Sequence, residues 1–251
     1  MEDRTETRMN VTVPPPRLAI IDNSIHPDIY KPVEHWGRYL PVPWETFVAR
    51  NHGFPDLGRF THLLLTGSEA SILEPDPWVE EEADVVREAV RRGVAVLGSC
   101  WGHQLLAFAL AGPGHVGRCA QPEIGWIPLR LKRDTELLGP AGETPFTFSI
   151  HFDEVRDPDG SFEVLAGTDL CAIQAMRVPG RPVWGLQCHP EVDVPTGRRF
   201  LRDLIDTGFK GREALLEALA SAPRDSGLIR RIVPAFLDGR AHTPRQPPQF
   251  A

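Results

Sequence analysis

The sequence predicts an α/β protein: an open, mostly parallel sheet flanked by helices in three layers, with an antiparallel or mixed extension in its second half. Three observations carry this. Short apolar runs (LAIID from Leu18, HLLLTG from His62, VAVLGS from Val94) are each ended by turn residues, as strands buried on both faces are. Between the second and third runs lies a helical segment with start and stop signals, which makes a strand, helix, strand unit. After Gly112 the helical pattern gives way to a series of short strand-like runs.

Taken in order, residues 1–16 end in VPPP, carry no apolar period and read as a disordered leader. The first helix has Asp76 as N-cap, Pro77 at its first position, the acids Glu80 to Glu82 toward the positive end of the dipole, and Arg91, Arg92 and Gly93 at its close. CWGHQLLAFALAG supplies the next helix, stopped by Gly112 and Pro113. EIGWIPLRL, FTFSIHF, SFEVLAG, LCAIQAM and PVWGLQC then read as strands, and GRRFLRDLID and REALLEALA as helices before a Pro-rich end. The layering expected is flavodoxin-like, with a main domain over 17–208 and a helical extension and Pro-rich tail over 209–251.

Composition excludes several function classes. The 251-residue chain has a formal net charge of -7, without the clustered Lys and Arg that a nucleic-acid surface needs. No apolar run approaches the roughly 20 residues of a membrane span, and the N-terminus has no apolar signal segment, so a cytoplasmic protein is expected. Cys100, Cys119, Cys171 and Cys188 form no CxxC pair, which argues against a zinc site and gives little support to a disulfide framework. No metal and no cofactor are expected.

The chemistry concentrates at Cys100. A strand running through Gly-Ser-Cys-Trp-Gly into a helix is the cysteine form of a nucleophile elbow, with Gly98 and Gly102 permitting the strained turn. The turn lifts the thiol above the carboxyl ends of the strands and sets it at a helix N-terminus, which favours thiolate. A thiolate needs a base and an orienter. His189 lies just after the PVWGLQC run, with Glu191 two residues on, on the same side of an extended segment. His151 is the second candidate base and Asp193 the alternative orienter. His103, tied to the elbow helix, reads as structural.

GSCWGHQLLA, GLQCHPEV, TGSEAS and HFDEV, at these separations, resemble class I glutamine amidotransferases, particularly the glutaminase portion of GMP synthases and its stand-alone relatives, from about Leu18 to Ile205. The resemblance implies that Cys100 attacks the glutamine side-chain amide, that His189 shuttles the proton and that Glu191 orients His189. It implies an oxyanion hole of backbone N–H groups at Gly67, Ser68 and Trp101, and substrate contacts by Gln104, Ile150 and His151. Ile150 stands where GMP synthases often carry Ser. The expected product is ammonia for a separate synthetase or transferase, because no G-x-x-x-x-G-K-[ST] loop accompanies the motifs. A γ-glutamyl peptide or amide hydrolase would use the same thioester, and a binding homologue without catalysis is the third reading.

Overall fold

The computed structural model describes residues 15–74, 76–157 and 159–239. Most of the leader and the Pro-rich end therefore lie outside the described residues. The elements in chain order are β1 (Leu18–Asp22), α1 (Pro32–Gly37), β2 (Trp44–Val48), β3 (His62–Leu65), α2 (Pro77–Arg92), β4 (Ala95–Ser99) and α3 (Trp101–Ala111). There follow β5 (Val116–Pro128), β6 (Arg130–Leu131), β7 (Phe146–Val155), β8 (Glu163–Gly167), β9 (Ala175–Arg177), β10 (Val183–Leu186), α4 (Val194–Asp206), α5 (Arg212–Ala220) and α6 (Ile229–Asp238).

The main sheet has the order β2-β1-β3-β4-β10-β9-β8-β6. From β2 to β10 the strands are parallel, and from β10 to β6 each pair is antiparallel. The apolar runs alternate between two cores because successive strand side chains point to opposite faces. Ala19, Ile21, Leu63, Leu65 and Val96 meet α2 and α3 on one face. Leu18, Ile20, Leu64, Ala95 and Leu97 meet Trp36 of α1 and Ile229, Ile232, Val233 and Phe236 of α6 on the other. The second face thus owes much of its cover to α6, which the sequence pattern does not reveal because Pro234 lies inside it. The exposed edge strand β2 and the six-residue α1 are likewise absent from the apolar pattern.

A second, two-stranded antiparallel sheet joins β5 to β7, with a bulge between Arg118 and Glu123. It packs with α4 and α5 around a third core of Tyr30, Phe148, Ile150, Phe200, Leu204 and Leu215. This hairpin stands over the carboxyl ends of the parallel strands, and its β7 backbone accepts a hydrogen bond from His189 N at 2.8 Å through Phe148 O. Among the described residues no helix is long and apolar enough to cross a membrane.

One acid departs from its expected place. Of the three thought to face the helix dipole, Glu82 points inward and is wholly buried. Its two carboxyl oxygens and Asn23 Oδ1 each lack a donor. A proton on Glu82 lets it donate to Asn23, and burial pushes its carboxyl group up to about 8, offset in part by the Asn23 contact. Asn23 in turn holds the end of β3, its Nδ2 donating to Thr66 O at 3.2 Å. The folded protein therefore keeps a proton that the unfolded chain releases above about 4.5, so this position costs stability progressively from there to about pH 8 and uniformly beyond. In Glu82→Gln the amide keeps the donor and cannot ionise. Its melting temperature should match the native protein near pH 4.5 and exceed it by several degrees at pH 8.5; equal pH profiles would refute the buried proton.

Candidate active site

The site is built on the junction of β4 and α3. Cys100 holds φ 49° and ψ −105°, a region that L-residues rarely occupy. Two close approaches enforce it. A Cβ on Gly98 would overlap the Gly102 carbonyl, and one on Gly102 would lie 2.5 Å from Leu65 O. Neighbouring backbone holds the turn: Cys100 N donates to Leu186 O at 2.7 Å, and Gly102 N to Thr66 O at 3.2 Å. The sulphur consequently faces a cavity lined by Tyr30, Ser68, Trp101, Gln104, Ile150 and His189.

His189 reaches the same cavity from the segment after β10. Its Nδ1 lies 3.0 Å from Glu191 Oε1, and its ring hydrogen-bonds the Cys100 side chain. With Nδ1 engaged, Nε2 is the nitrogen left for the sulphur. Burial alone would push the imidazole down, but the charges of Cys100 and Glu191 and their hydrogen bonds carry it well above the usual histidine range. Glu191 is fully buried, which opposes its charge, yet His189 and Tyr30 hold its carboxyl group below the usual range. The order Cys, His, Glu is the arrangement in which an imidazole hands protons to and from a sulphur nucleophile.

Two participants went unassigned in the sequence. Tyr30, from the loop after β1, is 1% exposed and donates its hydroxyl proton to Glu191 Oε1 at 2.8 Å, with the same oxygen 3.2 Å from His189 Nδ1. Its ring stacks on Phe200 of α4 at 5.3 Å between centroids. Nothing local to IHPDIY signals that contact, which spans 161 positions. Gln187 points its Nε2 at Cys100 Sγ, 3.7 Å away, while Gln104 Nε2 donates to its Oε1 at 3.2 Å. Gln187 lies within the GLQCHPEV run, where a buried polar residue in an apolar strand is the available signal.

The remaining expected residues fall as follows. Ser68 and Trp101 line the cavity, and Gly67 lies behind it, where a Cβ would come within 2.8 Å of His189 Cε1. Ile150 O accepts from Cys100 Sγ at 3.6 Å. Gln104 Nε2 also donates to Asp153 O at 2.8 Å. His151 lines the cavity with its backbone strand, but its ring contacts Asp153 O, Cys119, Glu123 and Gln174. Asp193 caps α4, accepting from Thr196 N at 2.9 Å. His103 is buried against Ile173 O, and burial pushes it down to about 3, so it stays neutral. At the mouth, Lys210 Nζ sits 4.6 Å from the centre of the Phe152 ring, beside Phe209.

The other thiols are held back by burial, which pushes Cys171 and Cys188 up to about 12 and Cys119 higher still. At neutral pH iodoacetamide should alkylate Cys100 first, and His189→Ala should slow that labelling at least about tenfold. Peptide mass spectrometry reads both rates; faster labelling of another cysteine would contradict this ordering.

A protein-family model described as Glutamine amidotransferase class-I matches residues 20–206. The chain is similar to the glutamine-hydrolyzing subunit of GMP synthase from Methanocaldococcus jannaschii, 32% identical over 121 residues that cover 48% of this chain and 63% of that relative. It is also similar to the counterpart from Methanothermobacter thermautotrophicus, 29% identical over 170 residues, 67% of this chain and 87% of that one. Among solved structures, a glutamine amidotransferase from Thermotoga maritima superposes with a TM-score of 0.68 at 20% identity, covering 88% of this chain and 98% of the other. One from Methylobacillus flagellatus gives 0.63 at 20% identity, covering 92% and 93%. These two show the likeness of fold.

Proposed function

The chain belongs to the class-I glutamine amidotransferase family, and we propose that it hydrolyses the side-chain amide of glutamine through a Cys100 thioester and supplies the ammonia to an enzyme on a separate chain. The observation that carries this reading is the strained elbow that aims Cys100 at an imidazole held by Glu191 and Tyr30.

The sulphur attacks the amide carbon, and the carbonyl π pair moves onto oxygen. Backbone N–H groups of Trp101 and of the Gly67–Ser68 loop receive that charge. His189, already carrying its second proton, gives the Nε2 proton to the departing nitrogen, the C–N bond breaks and ammonia leaves. Neutral His189 then takes a proton from water, which attacks the γ-glutamyl thioester; the C–S bond breaks, and glutamate departs. The sum is glutamine plus water to glutamate plus ammonia. Glu191 supports the charged imidazole in both halves, and Tyr30 is a positioning residue acting through Glu191.

The GMP synthase relatives are named as glutamine-hydrolyzing subunits, which supports a partner-coupled role. A second reading, hydrolysis of γ-glutamyl amides or peptides, is favoured by the apolar rim of Phe152, Phe200, Leu204 and Phe209, which suits an amine larger than ammonia. An amine-release assay on glutamine and a panel of γ-glutamyl amides separates the two by which substrate has the greater kcat/KM.

Cys100→Ser should keep its circular-dichroism spectrum and lose turnover of both substrate classes; retained turnover would remove Cys100 as nucleophile. A glutamine-analogue electrophile should label Cys100 in the native protein. Tyr30→Phe should lower kcat by about 10- to 100-fold with KM little changed, the cost of one hydrogen bond to a charged group. An unchanged kcat would remove Tyr30 from the mechanism.

A further inference from the structure

Behind the cavity, a second group of sulphur, imidazole and carboxylate side chains converges without any part in the chemistry above. Glu123 and His151 are cross-strand partners on β5 and β7, placed opposite each other by the bulge that precedes Glu123. Glu123 Oε2 lies 3.3 Å from His151 Nε2. Cys171, on the loop between β8 and β9, completes a trio whose ligand atoms lie within 4.8 Å of one another, and all three residues are buried. We propose that Glu123, His151 and Cys171 form a zinc site, with the side-chain oxygen of Gln174 as fourth ligand, which ties the β5–β7 hairpin to the main sheet.

The geometry suits that ion. Two ligands on tetrahedral zinc with bonds of about 2.0–2.1 Å lie roughly 3.3 Å apart, which is the separation of Nε2 and Oε2. Metal-bound histidines commonly give their other N–H to a carbonyl, and His151 Nδ1 lies 3.1 Å from Asp153 O, with Cys119 Sγ beside it at 3.3 Å. That arrangement leaves the Nε2 lone pair aimed at Glu123 and Cys171.

Gln174 supplies a separate indication. It is wholly buried, its Nε2 lies 2.5 Å from Glu123 Oε2 and 3.3 Å from His151 Nε2, and its Oε1 has no partner. Turning the amide over brings Oε1 to the ligand side, which gives that oxygen a partner and makes four ligands. Charge also balances. Zinc displaces the Cys171 proton to solvent, and the thiolate and the Glu123 carboxylate together neutralise the dication, which limits the cost of burying it.

The test uses the full chain without a histidine tag. Cobalt(II) serves as the spectroscopic probe and zinc as its competitor. The native protein should bind one cobalt with a thiolate-to-metal charge-transfer band and tetrahedral visible bands, and zinc should displace it. Cys100→Ser must retain the band. Cys171→Ser must lose it, and Glu123→Gln must weaken binding at least about tenfold. Circular dichroism checks each variant; if Cys171→Ser fails to fold, Glu123→Gln decides. No cobalt bound by the native protein would overturn the proposal. So would loss of the band in Cys100→Ser with retention in Cys171→Ser, since the ion would then sit at the reactive sulphur. None of these readings depends on glutamine turnover, so the site and the proposed reaction fail separately.

Discussion

The near-contact of two backbones, at Gly98 in β4 and Gly102 in α3, is the constraint from which the rest of the site follows. Without side chains there, the strand can turn directly into the helix and the intervening Cys100 takes a positive φ. Such a conformation costs on the order of 1–3 kcal/mol, offset by the burial of α3 between α2 and the sheet and by hydrogen bonds to the carbonyls of Leu186 and Thr66. The same two bonds fix the sulphur relative to β10 and to the loop after β3. Because β10 runs on into Gln187 and His189, and β3 into Gly67, one turn sets the mutual placement of nucleophile, imidazole and amide donors.

Around that turn the protein handles buried charge in two ways. His189 and Glu191 stay ionised because each is the other's partner, with Tyr30 and the Cys100 sulphur completing the set. Glu82 has only the neutral Asn23 and keeps its proton instead. The two solutions lie on either side of the same loop, since Asn23 binds Thr66 while Tyr30 packs against Gly67.

What the sequence reveals and what it hides divide along a physical line. LAIID, HLLLTG and VAVLGS are legible because parallel strands buried on both faces are continuously apolar, and the elbow is legible because glycine spacing reports a close approach. The separation of His189 from Glu191 is two residues, short enough for strand periodicity to carry. Tyr30, by contrast, meets Glu191 only through the fold, and the α6 pattern is masked by Pro234. Glu82 resembles its exposed neighbours Glu80 and Glu81 in everything except the direction it faces. Glu123, His151, Cys171 and Gln174 come from separate stretches brought together by the fold, so CxxC spacing has no bearing on their convergence.

The family match ends at residue 206, whereas the mouth of the cavity is completed by Phe209 and Lys210, just beyond it. Bond breaking and admission are thus encoded in different lengths of chain. Lys210 is held by ring faces, and its neighbours in sequence carry no part of the elbow. A change of residue there alters who enters while leaving the machinery within untouched, so this short stretch is where descendants of one hydrolytic scaffold can diverge in what they accept.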